Sequence, residues 1–250
     1  MKIIDAVWER RNLGMDVTEI TLEWSDLKEA DTIEILKKRM IRGHYLLVKI
    51  PVGDIAFLIK LQALGFIFLE CQYNISKKLH NYASSSQLKI LPAIDQIFSE
   101  PLSEDTKEWD ELCYLIGDDM YTTDRISLDP IFNLTVANRR YQNWIKDIQG
   151  NSSTVVAKIK YEEKAIGFFV ESFDLHTRAV YYMLFGLFKP YQNSGLGLSA
   201  IHAPLKFGAD REMRSIYSQI SSNNKVILRS YLFWGFSIDN TSYVLRYYSI

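Results

Sequence analysis

The chain has little cysteine, no long apolar run and no excess of charge of either sign. Cys71 and Cys113 are its 2 cysteines. They lie far apart without a C-x-x-C partner, so neither a disulfide framework nor a thiolate zinc site is supported, and no metal is expected. Both read as small core residues, and a reduced, cytoplasmic setting follows. No stretch approaches the length of a membrane-crossing helix. Charge interrupts Met1 to Arg10 before a signal-peptide core can form, so no membrane partner is expected. Lys and Arg number 29 against 30 Asp and Glu, a formal net charge of -1. With no basic cluster interleaved with aromatics, that balance removes the electrostatic case for nucleic acid.

What is present is an ordinary globular composition, 48% hydrophobic over 250 residues, enough for one large domain or two small ones. The polar, serine-rich run Asn81 to Gln87 is the best internal boundary, dividing residues 1–86 from 87–250. Before it, Tyr45 to Ile50 reads as a strand and Asp54 to Leu64 as a helix capped by Asp54. Gly65 ends that helix and Phe66 to Ile75 forms a second strand, giving a β-α-β unit closed by Leu-Gly-Phe. After it, Leu88 to Leu91 reads as a first strand, Thr106 to Ile116 as a helix, and Asp129-Pro130 as the start of a longer helix. Strands follow at Thr154 to Tyr161, Ala165 to Phe173 and Ala179 to Phe188, joined by hairpin-length connections. A helix from about Gly195, a strand from Ser215 to Ile220, a helix at Asn224 and a strand from Tyr243 to Tyr248 complete the order.

The third of those hairpin strands runs directly into Leu187-Phe188-Lys189-Pro190-Tyr191-Gln192-Asn193-Ser194-Gly195-Leu196-Gly197. A strand that turns through small residues into a helix presents a row of unpaired backbone N–H groups, a ready site for phosphate. A side chain at Gly195 or Gly197 would hold a pyrophosphate away from that backbone. A plain helix-capping turn fits the same residues. A second block lies downstream, from Asn224 through Tyr231 to Gly235-Phe236.

Together, Q-x-x-G-x-G and the later Asn, Tyr seven residues on, and Gly-Phe resemble the GCN5-related N-acetyltransferases, the GNAT superfamily. The resemblance covers about residues 87 to 250, and Trp234-Gly-Phe echoes Leu64-Gly-Phe of the earlier unit. It implies an α/β (α+β) GNAT fold: a mixed central sheet flanked by helices, preceded by a smaller α/β N-terminal domain. It implies acetyl-CoA as co-substrate, held by Leu187, Phe188, Lys189, Gln192, Asn193, Ser194, Gly195, Leu196, Gly197 and Asn224. It makes Tyr231 the acid that protonates the departing CoA thiolate. The chain departs from the pattern at Gln192, where arginine is frequent, at Asn193, where glycine is, and at Pro204, where a kink is expected. Gly186 inside the strand marks either a bulge beside the cofactor or steric relief among aromatics.

No general base stands out. Glu171 and His176 lie near the end of the preceding hairpin and are the candidates, His176 reading better as a solvated hairpin tip; water or an already neutral amine fits the sequence better than either. His44, His80 and His202 read as structural, Tyr141 and Trp144 as core. Short likenesses at Leu61 to Phe66, Asp124 to Pro130, Tyr141 to Ile145 and Thr241 to Tyr247 are similar to sugar-nucleotide N-acetyltransferases of the dTDP-fucosamine type. The acceptor implied is a small-molecule amine on a nucleotide-linked deoxyamino sugar; Arg125 is a candidate to meet its phosphate, a surface ion pair being the more common role for such a residue. A peptide, antibiotic or other small amine remains an alternative, as does a non-catalytic acetyl-CoA-binding module. A homodimer is left open.

Overall fold

The computed structural model describes the whole chain apart from residues 81, 83–85, 92, 118, 119 and 250. Most of the expected boundary at 81–87 therefore lies outside the described residues. The strands are β1 (Lys2–Asp5), β2 (Val17–Thr21), β3 (Tyr45–Pro51), β4 (Ile67–Lys78), β5 (Ile97–Pro101), β6 (Thr154–Tyr161), β7 (Lys164–Asp174), β8 (Ala179–Leu187), β9 (Ser215–Ser221) and β10 (Ser237–Tyr247). Among the described residues they form one mixed sheet in the order β1-β2-β3-β10-β4-β9-β8-β7-β6-β5. The helices are α1 (Glu9–Leu13), α2 (Thr32–Arg39), α3 (Ile55–Ala63), α4 (Thr106–Leu115), α5 (Arg125–Leu128), α6 (Leu134–Asp147), α7 (Gly197–Ala200), α8 (His202–Asp210) and α9 (Lys225–Phe233).

The order hides an internal repeat. β2 runs parallel to β3, α3 follows, and β4 returns; β8 runs parallel to β9, α9 follows, and β10 returns. Both helices begin on a side-chain cap. Asp54 Oδ1 accepts from Phe57 N at 2.8 Å, and Asn224 Oδ1 accepts from Ile227 N at 3.2 Å. Both end at a left-handed glycine, Gly65 (φ 94°) and Gly235 (φ 79°), followed by a buried Phe66 or Phe236. The returning strands then exchange places. β4 lies between β10 and β9, while β10 lies between β3 and β4, with Gln72 opposite both Ser242 and Ser221. The sheet thus runs unbroken across the two expected parts.

Helices cover both faces. Ile201, Leu205, Tyr231 and Trp234 pack with Phe169, Val180 and Tyr182 on one, and Trp234 Nε1 donates to Leu198 O at 2.8 Å. On the other, Trp109 and Leu112 of α4 and Ile145 of α6 pack with Val156, Phe168 and Val170. Phe57, Leu61 and Leu36 close the N-terminal part against Ile20, Leu46 and Val48. α6 reaches that part too, through Ala137, which packs in a cluster with Ile126, Tyr45 and Leu47. A buried polar knot reinforces the bridge: Asp129 accepts from Tyr45 Oη at 2.8 Å and from Arg246 Nε at 3.0 Å.

Several expectations shift. The segment Leu88 to Leu91 is not a strand; a 3-10 turn spans Ser86–Lys89, and the edge strand is β5. Its terminal Pro101 is tolerated because an outer strand has no further neighbour to bond. The long helix starts at Leu134, not at Asp129-Pro130, because Asn133 supplies the cap to Val136 N while Asp129 is held in the polar knot. Pro204 does divide a helix, with α7 ending at Ala200 and α8 starting at His202, since its ring offers no N–H to the preceding turn.

Candidate functional site

The parallel pairs β2/β3 and β8/β9 occupy equivalent places but differ at their ends. β2 and β3 stay paired from Val17↔Tyr45 to Thr21↔Lys49, and Leu22 N extends the ladder to Lys49 O at 2.9 Å. β8 and β9 pair only from Ala179↔Ser215 to Tyr182↔Ser218 and then separate, although β8 continues to Leu187 and β9 to Ser221. The cause is a bulge against β7. Val170 faces Leu184 and Glu171 faces Tyr182, which leaves Met183 without a partner and bends β8 away. The bulge therefore lies at Met183, not at Gly186. Gly186 pairs regularly with Phe168, and a Cβ there would stand 2.7 Å from both Met120 Cε and Tyr121 Oη. Its smallness is steric relief.

The opening between the strands forms a groove of about 530 Å³, lined by Leu187, Gln192, Asn193, Gly195, Gly197 and Asn224 from the expected set. The loop is built by its own hydrogen bonds. Tyr191 N donates to Phe188 O at 2.8 Å, Ser194 Oγ to Tyr191 O at 2.6 Å, and Gln192 Nε2 to Leu187 O at 3.0 Å. Asn193 (φ 59°) and Gly195 (φ 84°) adopt left-handed backbone, a conformation in which asparagine substitutes for glycine at modest cost. Their N–H groups donate to no acceptor among the described residues. A Cβ at Gly195 would meet nothing within 4 Å, so the space above it belongs to the groove. Phe188, Lys189, Ser194 and Leu196 do not line it. Phe188 is buried, and its N–H is spent on Ile166 O at 2.9 Å.

The groove continues into a narrower cavity of about 170 Å³, sharing Tyr121, Thr123, Phe185, Asn224 and Ile227 with it. Tyr231 lines this inner cavity, 3% exposed, two helical turns from Asn224 on the same face of α9. Burial pushes its phenol above the ordinary range, and Tyr182 and Ser218 ease its ionisation without reversing that effect. Tyr182 stands with its ring centroid 5.7 Å from that of Tyr231. The phenol is thereby held neutral, as a hydrogen-bond donor facing the inner cavity.

Two carboxylates near this cavity escaped the sequence reading. Asp124 lines it while capping α5, accepting from Ile126 N at 2.9 Å and Ser127 Oγ at 2.5 Å. Glu70, 3% exposed on β4, has one oxygen without a partner among the described residues. Burial pushes its carboxyl up, while Ser221 and Arg125 pull it down. Only the exchange of β4 into the C-terminal sheet brings Glu70 here, and no local sequence signal announces that. Of the groups proposed as base, His176 sits exposed at its hairpin tip and Glu171 is fully buried, lining neither the cavity nor the groove. Arg125 ion-pairs with Glu19. Tyr141 lines the inner cavity. Trp144, Tyr181 and Tyr217 line a further groove of about 660 Å³ that meets the inner cavity at Tyr182, Met183, Ser218 and Gln219. His44 and His202 are structural, bonded to Thr18 Oγ1 at 2.9 Å and Tyr82 Oη at 2.6 Å.

No family model matches the chain, and no curated protein does. Solved structures do. A Staphylococcus epidermidis protein of unknown function superposes with TM-score 0.60 at 12% identity, over 94% of this chain and 85% of that one. A GCN5-related N-acetyltransferase from Sphaerobacter thermophilus gives 0.59 at 10% identity, over 98% and 75%. A tandem GNAT protein from the clavulanic acid biosynthesis pathway gives 0.53 at 12%, over 87% and 67%. At such identities the likeness is one of fold, and the fold is that of the GNAT acetyltransferases, a large mixed sheet flanked by helices.

Proposed function

We propose that the chain is an acetyl-CoA-dependent N-acetyltransferase acting in the cytoplasm on a primary amine, that of a nucleotide-linked deoxyamino sugar. The observation that carries this is the separation of β8 from β9 beside the left-handed loop at Asn193 and Gly195. Strand edges that have parted from their neighbour suit the amide-bearing pantetheine arm, as an added strand would. The N–H groups of Asn193 and Gly195 suit the pyrophosphate, with no cation needed at Gln192.

The residues then divide the work. Asn224 lies where both cavities meet and orients the arm. Asp124 lines the inner cavity as an acceptor for the proton shed by the amine. Tyr231, kept neutral by burial, gives its proton to the thiolate as the carbon–sulfur bond breaks. Acyl transfer to a neutral amine needs nothing more reactive than the amine itself, which is why no nucleophilic side chain is required.

The sugar half of the acceptor has support in the further groove, where Trp144, Tyr181 and Tyr217 offer aromatic faces and Asn74, Gln219 and Asn240 offer amides. Neither Arg nor Lys is among its described lining residues, and Asp239 is. That favours a second reading, an amine on a polar body without phosphate, and separates the two by experiment. Calorimetric titration with acetyl-CoA and with CoA tests the donor. A turnover screen comparing amino sugars with and without the nucleotide then identifies the acceptor class. Tyr231→Phe is expected to bind acetyl-CoA as wild type does and to lose roughly 100-fold or more in turnover. Equal turnover would remove Tyr231 from the chemistry, and absence of acetyl-CoA binding to the wild-type protein would remove the reading altogether.

A further inference from the structure

α1 is only 5 residues long, and a helix that short does not hold itself together in water. Here α6 holds it. Glu9 Oε1 accepts from Arg140 Nε at 2.5 Å, Asn12 Oδ1 accepts from Asn143 Nδ2 at 2.8 Å, and Arg11 pairs with Asp147 at 2.7 Å. These bonds fix Trp8, the residue just before α1, on the wall of a short cavity of about 210 Å³ while leaving it 48% exposed. The cavity shares Tyr141 and Met183 with the inner cavity, and Trp144 and Met183 with the further groove. Among the described residues Met183 alone lines all three, and it is also the residue that the β8 bulge leaves unpaired. With the loop groove the cavity shares no described residue, so it belongs to the acceptor side of the site.

The wall defines what fits. Its charges are already answered, Arg140 by Glu9 and Asp147 by Arg11. A phosphate would meet two carboxylates there and no uncommitted cation among the described lining residues. Asp147, its side chain 41% exposed, still has oxygen lone pairs to accept from a hydroxyl. Trp8, Tyr141 and Trp144 bring aromatic surface, which suits the C–H face of a sugar ring. The 210 Å³ amounts to about seven waters at roughly 30 Å³ each, enough for one six-membered ring and too little for a nucleotide.

We propose that this cavity is a subsite for a second ring of the acceptor, a neutral sugar joined to the amine-bearing sugar in the further groove, and that Trp8 is the residue that selects for it. This rests on the acetyltransferase reading above and takes its phosphate-free form. The two rings lie on either side of Trp144, which lines both spaces, and the amine passes Met183 into the inner cavity. Met183 suits that junction because an unbranched thioether adapts its shape to what passes it. The N-terminal part of the chain thereby gains a share in acceptor choice, through a tryptophan that its own short helix could not hold in place.

The test uses the full chain and follows CoA release from acetyl-CoA with three amines as probes: glucosamine, the glucosamine dimer of chitosan, and glucosamine carrying an anomeric phosphate in place of the second ring. In the wild type the dimer is expected to exceed glucosamine in kcat/KM by at least roughly fivefold, carried by KM, while the phosphate gains nothing. Trp8→Ala should erase the dimer's advantage, and Trp8→Phe, which keeps an aromatic face, should restore most of it. Trp24→Ala removes a tryptophan of similar exposure, 51%, that lines none of these cavities, and should keep the advantage. A purely structural Trp8 would change KM for glucosamine and its dimer alike. That result overturns the proposal, as does a wild-type protein that favours the dimer no more than glucosamine, or that favours the phosphate. Failure of acetyl-CoA to bind the wild type overturns the acetyltransferase reading first; binding without a second-ring preference overturns the subsite alone.

Discussion

The substitution Gly167→Ala tests the packing that shapes the groove. Gly167 lies on β7 opposite Leu187 of β8, where the chain leaves the sheet for the loop. A Cβ added there would stand 2.3 Å from the carbonyl oxygen of Gly186 and 3.1 Å from Leu187 Cα. A relaxed carbon–oxygen contact needs roughly 3.3 Å or more, so β8 must retreat by about 1 Å. The obstacle is backbone, which cannot swing aside as a side chain does. Overpacking of this kind costs about 1–3 kcal/mol, and each ladder hydrogen bond stretched by the retreat adds about 1 kcal/mol. A total near 3 kcal/mol lowers the melting temperature by roughly 6–12 °C in a chain of this size. The same displacement moves the strand edge that would hold the cofactor arm, and losing one or two hydrogen bonds there weakens acetyl-CoA roughly 5- to 100-fold. Calorimetric unfolding and isothermal titration measure the two effects on one preparation. Gly186→Ala is the comparison: its obstacles, Met120 Cε, Tyr121 Oη and Phe168 Cε1, are side-chain atoms rather than backbone, so its loss is smaller. A melting temperature for Gly167→Ala within about 2 °C of wild type would refute the reasoning.

Other perturbations probe separate features. Asp129→Asn leaves Arg246 buried beside a neutral group and is expected to cost about 3–5 kcal/mol in denaturant unfolding; adding Arg246→Met should recover part of it, and a loss below about 1 kcal/mol would contradict the ion pair's role. His202 is pushed down to about 4 by burial, with Lys206 adding to the effect. Since the unfolded chain binds that proton at higher pH, stability falls as pH drops from the ordinary histidine value of 6.5 toward 4, by up to about 3 kcal/mol. In His202→Gln this component of the slope should vanish; an unchanged slope would show that another group sets it. Gly195→Asp meets no clash with the protein, so its effect on acetyl-CoA comes from left-handed strain and from charge beside phosphate. An affinity at least roughly tenfold weaker is expected, and equal affinity would take the loop out of the binding site.

Local chemistry was legible in the sequence wherever the signal was local. The caps Asp54 and Asn224, the glycine stops at Gly65 and Gly235, the three antiparallel strands and the break at Pro204 all follow from neighbouring residues. The N-terminal elements β1, α1, β2 and α2 went unread because they are 4, 5, 5 and 8 residues long, too short for a period to assert itself. Asp129-Pro130 misled because a good helix-start signal was overridden by a tertiary ion pair with Arg246, 117 positions away. The site shows the same division. Gly195, Gly197, Asn224 and Tyr231 were singled out through motifs that resemble the GNAT pattern, and each lines the groove or the inner cavity, while Asp124 was seen only as part of a sequence likeness and Glu70 not at all. Their places depend on α5 docking under the sheet and on the β4/β10 exchange, neither of which leaves a mark in a single stretch of sequence.

That exchange also orders events in time. β10 occupies the last part of the chain, Ser237–Tyr247, yet fills the place between β3 and β4, both complete by residue 78. During synthesis β4, 12 residues long, therefore has neither of its neighbours, because β9 also lies far downstream. Until then it is an unpaired edge with exposed Ile67 and Phe68, the kind of surface that recruits other strands. The N-terminal part cannot close its own sheet early. It must wait for β10, far downstream in sequence, which makes its closure a long-range step.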